Sequence, residues 1–206
     1  MRRAWQGTVL AAVLPLLLAS CAQDADAPKG QSQGAVNVHV DVDTPQLRAL
    51  KKQAGVETCT QGDAAQTTGG MPDVTLPCLG GGPDVNLSTL RGPMVVNLFA
   101  QWCGPCRDEL PFYQQLHERA GERIPVVGID YLDTQPKAAL ELVKDTGVTY
   151  PLLADPSAQT RVPFRVRGLP GVVFIDMNGE THVEYVVMRS YAQLRQLVKQ
   201  YLGVTV

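Results

Sequence analysis

The chain has 206 residues, 45% of them apolar and 18% charged, with a formal net charge of −2. That is enough apolar surface for a packed core, and it excludes wholesale disorder. The near-neutral balance offers no basic face, and four Phe, two Trp and six Tyr make no stacking platform, so no nucleic-acid partner is expected.

Arg2 and Arg3 precede an almost continuous apolar run over residues 8–19. That run is well short of the ~20 residues a spanning helix needs. It ends in Leu18-Ala19-Ser20-Cys21, small residues before a cysteine, the arrangement of a bacterial lipobox in which Cys21 is acylated and becomes the mature N-terminus. The alternative is an ordinary signal peptide with an incidental cysteine after its cleavage site. Residues 1–20 are therefore expected to be a lipoprotein signal peptide and residues 21–43 a small, polar tether. A lipid, not a span, would hold an exported protein on the outer face of the cell membrane.

Residues 36–42 alternate with period two and predict a short strand. Residues 44–53 read as a helix, with Thr44 as N-cap and Pro45 in the first turn. Residues 44–70 form an N-terminal extension. Residues 73–76 and 85–87 are candidate strands on either side of a Gly-rich turn. Residues 93–100 are a nearly unbroken apolar run, the mark of a strand covered on both faces. A helix is predicted from Cys103 to about Ala120, with Gly121 as its stop. Residues 124–130 predict a second buried strand, and residues 137–146 a helix between Pro136 and Gly147. Residues 172–176 predict a third buried strand, and Asn178-Gly179 a tight hairpin into residues 180–187. The last helix places Tyr191, Leu194, Leu197, Val198 and Tyr201 on one face. Strand–helix–strand demands a parallel pair with a right-handed crossover, and the hairpin adds an antiparallel edge. Residues 71–206 are thus expected to be an α/β unit: a mixed central sheet with helices on both faces.

Of five cysteines, Cys21 is assigned to lipid, and four remain in an oxidising compartment where disulfides persist. Cys103 and Cys106 form a C-x-x-C. That leaves Cys59 and Cys78 for each other, as a structural disulfide closing a polar, Gly-rich loop. A relaxed bridge of this kind resists mild reductant that opens the C-x-x-C. A zinc site built from two C-x-x-C pairs is excluded, because Cys59 and Cys78 are far apart in sequence.

Trp102-Cys103-Gly104-Pro105-Cys106 sits where a buried strand becomes a helix. There the free N–H groups and the helix dipole favour an anion on Cys103. A thiolate with lowered pKa is the attacking group in disulfide exchange, and the second sulfur, one turn on, resolves the mixed disulfide. Trp102 beside the sulfurs suits a docking surface. The competing reading of the motif is an inert staple or half a metal site.

The stretch from Asn97 to Pro111, NLFAQWCGPCRDELP, resembles the active-site segment of the TlpA/ResA-like branch of the thioredoxin superfamily. The likeness runs from about residue 71 to residue 202. It implies a thioredoxin-like fold and an extracytoplasmic thiol–disulfide oxidoreductase without cofactor. Its partners would be exported protein thiols or disulfides and a membrane redox partner, with cytochrome c biogenesis among the settings. By the same resemblance Leu169-Pro170 is a cis peptide facing the C-x-x-C, with the Leu169 backbone pairing with substrate. Pro111 matches a helix-kinking proline, and Asn97 stands where cytoplasmic thioredoxins bury an Asp. Glu109 matches an acidic residue that tunes the active site, against the alternative of a solvated helix-face charge. Gly171 departs from the Thr that relatives carry, a change expected to loosen the substrate-side loop.

His39, His117 and His182 are scattered and make no catalytic set. The sequence has no Gly-rich phosphate loop and no cluster of metal ligands, so neither cofactor nor metal is expected. Asp130-Tyr131-Leu132-Asp133 reads as a strand-end turn. Two other functions compete. A thiol peroxidase would share the fold, but a Pro-x-x-x-Thr-x-x-Cys stretch is missing. A redox-inert binding lipoprotein would use its C-x-x-C as structure only. The residues leave the direction of electron flow open.

Overall fold

The computed structural model describes residues 39–206. The expected signal peptide, Cys21, most of the expected tether and the start of the 36–42 strand prediction lie outside them. Residues 39–44 are irregular rather than extended into a strand. Apart from the Thr44 carbonyl, which accepts the Arg48 N–H as α1 begins, the backbone contact made there is from Gly80 N–H to the Val42 carbonyl at 2.8 Å, with no neighbouring ladder to continue it.

Among the described residues the elements run α1 (Pro45–Ala54), β1 (Thr75–Leu76), β2 (Val85–Asn86), a 3-10 turn (Leu87–Thr89), β3 (Met94–Phe99) and α2 (Gly104–Ala120). They continue with β4 (Val126–Tyr131), α3 (Pro136–Thr146), β5 (Leu152–Asp155), β6 (Gly171–Ile175), β7 (Thr181–Glu184) and α4 (Tyr191–Leu202). Local chemistry accounts for most boundaries. The Thr44 hydroxyl accepts the Leu47 N–H at 3.2 Å, and Ser190 does the same for Gln193 at the start of α4. Gly147 and Gly203 close α3 and α4 in the left-handed conformation. Gly121 does not: it stays right-handed, and the chain makes one more turn through Arg123 and Ile124, both bonded to the Ala120 carbonyl.

The five-stranded sheet has the order β5-β4-β3-β6-β7, with β3, β4 and β5 parallel and β6 and β7 antiparallel to their neighbours. β5 is the strand that periodicity missed. Four residues behind a proline are too few to tell from a loop, and pairing with β4 is what makes them a strand. Its outer edge is covered by residues 77–79: Leu79 N–H donates to the Leu152 carbonyl at 2.8 Å, and Ala154 N–H to the Pro77 carbonyl at 2.9 Å.

Strand parity divides the interior in two. Val95, Phe99, Val126, Leu152, Val172 and Phe174 face one core, to which all four α-helices contribute. Val96, Leu98, Val127, Ile129, Val173 and Ile175 face the other, which is closed by the β1–β2 hairpin, the 3-10 turn, Phe164 and the Cys59–Cys78 bridge. Helical cover of the two faces is therefore unequal, a 3-10 turn on one side against four α-helices on the other. The crossovers β3–α2–β4 and β4–α3–β5 step in the same direction across the sheet. With the same handedness they deliver both helices to one face. The extension shares that core, since Leu47 of α1 and Val56 are buried in it. No helix among the described residues is long and apolar enough to cross a membrane.

The Cys59–Cys78 disulfide, with Cα atoms 5.9 Å apart, ties the extension to the β1–β2 hairpin. A loop of this size constrains the unfolded chain by about 3 kcal/mol. Replacing both cysteines by serine should lower the unfolding free energy by about that amount in denaturant titration, with the m-value retained. A loss under ~0.5 kcal/mol would show that packing alone holds the extension.

Candidate active site

β3 is buried along its whole length and runs out at Phe99. The chain then turns, Cys103 N–H donating to the Ala100 carbonyl at 3.1 Å, and α2 starts at Gly104. Cys103 is the N-cap residue, and its Sγ accepts the Cys106 N–H at 3.3 Å. The two cysteines form a disulfide with Cα atoms 5.3 Å apart. Cys103 is 5% exposed and Cys106 2%, so both residues are buried.

The Leu169–Pro170 peptide is cis, as is Gly92–Pro93. Pro170 is buried, while Leu169 packs at the margin of the core that holds both sulfurs. Trp102 stands 52% exposed, its indole N–H donating to the Leu132 carbonyl at 3.2 Å. Leu132 is itself exposed and held at a φ of 51°. Arg161 Nε donates to the Tyr131 hydroxyl at 3.0 Å, which brings the loop before Pro170 alongside. That loop exposes Arg161, Val162, Arg165 and Arg167.

Glu109 lies one turn beyond Cys106 on α2 and is buried, not solvated. Its carboxylate accepts the Met188 N–H at 2.6 Å. Burial pushes its pKa up to about 7, against the Met188 hydrogen bond, with Asp108 adding a smaller upward push. Pro111 lies inside α2 without ending it, at the cost of one backbone hydrogen bond. Asn97 is buried in the central strand beside Tyr150.

Sequence reasoning passed over the groups that brace the motif. Asp133 accepts the Gln101 N–H at 2.8 Å through one oxygen and the Gln135 N–H at 2.8 Å through the other, so one carboxylate ties the active-site loop to the start of α3. Behind it, Asp130 is buried at the end of β4, and burial together with Asp133 raises its pKa well above the usual carboxylate range. The strand-end turn read from Asp130 to Asp133 is thus also a support. An Asp two residues ahead of Gln135-Pro136 was the available signal. Gly171 does not loosen its loop. A Cβ there would lie 2.9 Å from the Tyr185 ring, and the Tyr185 hydroxyl donates to the Phe164 carbonyl at 2.7 Å, which ties the loop down.

The histidines stay apart. His117 pairs with Glu57 at 3.0 Å, and His39 is exposed at the start of the described residues. His182 stacks on Tyr201 and comes close to Asp176 and Glu180, with potential ligand atoms within 4.8 Å of one another. That juxtaposition was not legible in the sequence. Asp176 there serves the hairpin, accepting the N–H groups of Asn178 and Glu180 at 2.8 and 2.9 Å.

Comparison with known proteins places this geometry among thiol–disulfide proteins. The AhpC/TSA family profile matches residues 68–184. The chain is 31% identical over 125 residues to the thiol-disulfide oxidoreductase ResA of Geobacillus kaustophilus, covering 59% of this chain and 70% of that protein. It is 33% identical over 94 residues to the thiol:disulfide interchange protein DsbE of Haemophilus influenzae, covering 45% of this chain and 50% of that protein. The chain thus spans about half the length of the latter, as it does of CycY from Rhizobium leguminosarum, at 45%. Among solved structures, MTB dsbF superposes with a TM-score of 0.57 at 28% identity, covering 63% of this chain and 95% of that one. A family profile spanning more than half of the chain, on a thioredoxin-like α/β fold, establishes that the chain belongs to the AhpC/TSA family.

Proposed function

We propose that this protein is an extracytoplasmic thiol–disulfide oxidoreductase that exchanges disulfides with exported proteins, with Cys103 as nucleophile and Cys106 as resolving thiol. The observation that carries this reading is the Cys106 N–H aimed at the Cys103 sulfur in the first turn of α2. That N–H and the helix dipole favour the thiolate at Cys103. In the reducing direction the Cys103 thiolate attacks a substrate disulfide and expels one substrate thiolate. Cys106 then loses its proton and attacks the Cys103 sulfur, which releases the second substrate thiolate and closes Cys103–Cys106. The reverse sequence oxidises a substrate dithiol. Two sulfurs bonded one turn apart support exchange over peroxide reduction, which needs a single activated cysteine and an oxidant pocket.

Trp102, Leu132 and the Leu169–Pro170 segment form the substrate rim in this reading. Cys21 is the lipid anchor, residues 1–20 are the signal peptide, and residues 21–43 are the tether that lets the 71–206 unit and its 44–70 extension reach a membrane redox partner. The exchange roles are separable. Cys106→Ser should accumulate mixed disulfides with substrate proteins on non-reducing gels, and Cys103→Ser should not. Equal trapping by both variants would overturn the assignment.

Glu109 supplies the proton chemistry beside Cys106. A carboxyl near pH 7 can take the Cys106 proton as that sulfur attacks. Because the folded carboxyl holds its proton more tightly than the unfolded chain, it favours the fold most below its ordinary value of 4.5, and that contribution fades as pH rises through about 7. In the oxidised protein, Glu109→Gln should therefore match the native chain at pH 4 and exceed it at pH 8, by on the order of 3 kcal/mol. The variant should also lose the limb of the exchange-rate profile near pH 7. Parallel stability curves for the two proteins would remove Glu109 from the mechanism.

A further inference from the structure

The second disulfide has unequal surroundings. On one side, Lys51 of α1 is 7% exposed, and its Nζ lies 3.0 Å from Cys78 Sγ. The same ammonium donates to the Gly81 carbonyl at 2.8 Å. Gly80, Gly81 and Gly82 all have positive φ, and they wrap the side chain closely: a Cβ on Gly80 would lie 2.9 Å from Lys51 Cβ, and one on Gly82 would lie 3.1 Å from Cys78 Sγ. Only glycine allows this approach.

Lys51 makes no ion pair among the described residues. Asp43 acts on it, but Arg48 already holds that carboxylate at 2.6 Å. Burial lowers the Lys51 pKa. A buried ammonium without a counter-ion is costly, and a disulfide sulfur is a poor acceptor for it. A thiolate in the same place would complete the pair.

On the other side, Cys59 Sγ lies 3.2 Å from the Leu152 carbonyl oxygen. In a reduced pair that oxygen would accept from a neutral thiol and disfavour a thiolate. Cys59, unlike Cys78, lines a cavity of about 230 Å³, with Thr60, Pro125 and Glu57 exposed at its rim. The Glu57 carboxylate is hydrogen-bonded there to the His117 ring at 3.0 Å.

We propose that Cys59–Cys78 is a second exchangeable disulfide, separate from Cys103–Cys106, in which Cys59 takes the adduct of a low-molecular-weight thiol and Cys78 leaves as a thiolate toward Lys51. The attacking thiolate forms a bond to Cys59 Sγ from the cavity. The Cys59–Cys78 bond breaks, and its electron pair stays on Cys78, where Lys51 meets the charge. A second molecule of the small thiol, as thiolate, then attacks the adduct sulfur and leaves as the small-molecule disulfide. Cys59 takes up a proton and becomes a thiol. Two small thiols are oxidised, and one protein disulfide is reduced. The staple between the extension and the β1–β2 hairpin is then reversible, and its opening reports the thiol status of the compartment.

The test uses the full chain in its oxidised form with 2-mercaptoethanol as the thiol. The reaction is quenched with acid at intervals, and the adducts are located by peptide mass mapping. The adduct should appear on Cys59 and not on Cys78. Lys51→Met should slow the opening of Cys59–Cys78 by about tenfold, because a leaving thiol of higher pKa leaves more slowly, and Lys51→Arg should restore most of the rate. The opening of Cys103–Cys106, followed in the same samples, should not change. Adducts on Cys78 or shared equally would overturn the proposal. So would a Cys59–Cys78 bridge that stays closed after Cys103–Cys106 has opened fully, or a Lys51→Met rate equal to the native one. Should Lys51→Met fail to fold, the adduct map of the native chain decides by itself.

Discussion

A helix that begins inside a protein must find acceptors for its first N–H groups, and in this chain one of those acceptors is a sulfur. The Cys106 N–H reaches Cys103 Sγ at 3.3 Å because Cys103 is the N-cap of α2. Ordinary caps use a hydroxyl or carboxylate oxygen. A neutral thiol fills that role poorly and a thiolate fills it well, so the local need of the helix end and the chemistry of exchange coincide. Much of the surrounding structure serves to keep this junction in place.

β3 does so from below. It is the central strand, parallel to β4 and antiparallel to β6, so its end cannot shift without breaking two ladders. Asp133 does so from the side, with one oxygen on the Gln101 N–H and the other on the Gln135 N–H. Tyr185 and Arg161 hold the loop that leads to Pro170. Glu109 is fixed by the Met188 N–H, and burial raises its own proton affinity. All but the Gln135 contact join segments far apart in sequence.

The two disulfides occupy opposite situations in the same fold. Cys103–Cys106 lies in the core with the four α-helices, where a helix N-terminus supports negative charge. Cys59–Cys78 lies in the other core, beside the Lys51 side chain from the last turn of α1. Loop closure and charge placement act on the second bridge together. The first makes it a staple, and the second gives its two sulfurs different fates.

Much of the architecture was legible in the residues. Apolar runs marked β3, β4 and β6, because a strand buried on both faces has no polar side to show. Thr44 and Gly147 marked helix ends, because capping is a local interaction. The C-G-P-C at a strand–helix junction marked the sulfurs. What local pattern could not show is what long-range pairing created. β5 is a strand only because β4 lies beside it, and α2 and α3 share a face only because both crossovers step the same way. Gly171 read as a looser loop until the Tyr185 ring filled its space. Nothing within α1 shows that Cys78, 27 residues on, meets the Lys51 ammonium. The sequence by itself determined which residues carry sulfur chemistry and where helices and buried strands form, because propensity, capping and periodicity act over a few neighbouring residues. Tertiary structure alone decided which charge faces which sulfur, because burial and electrostatic partnership depend on distance through space and not along the chain.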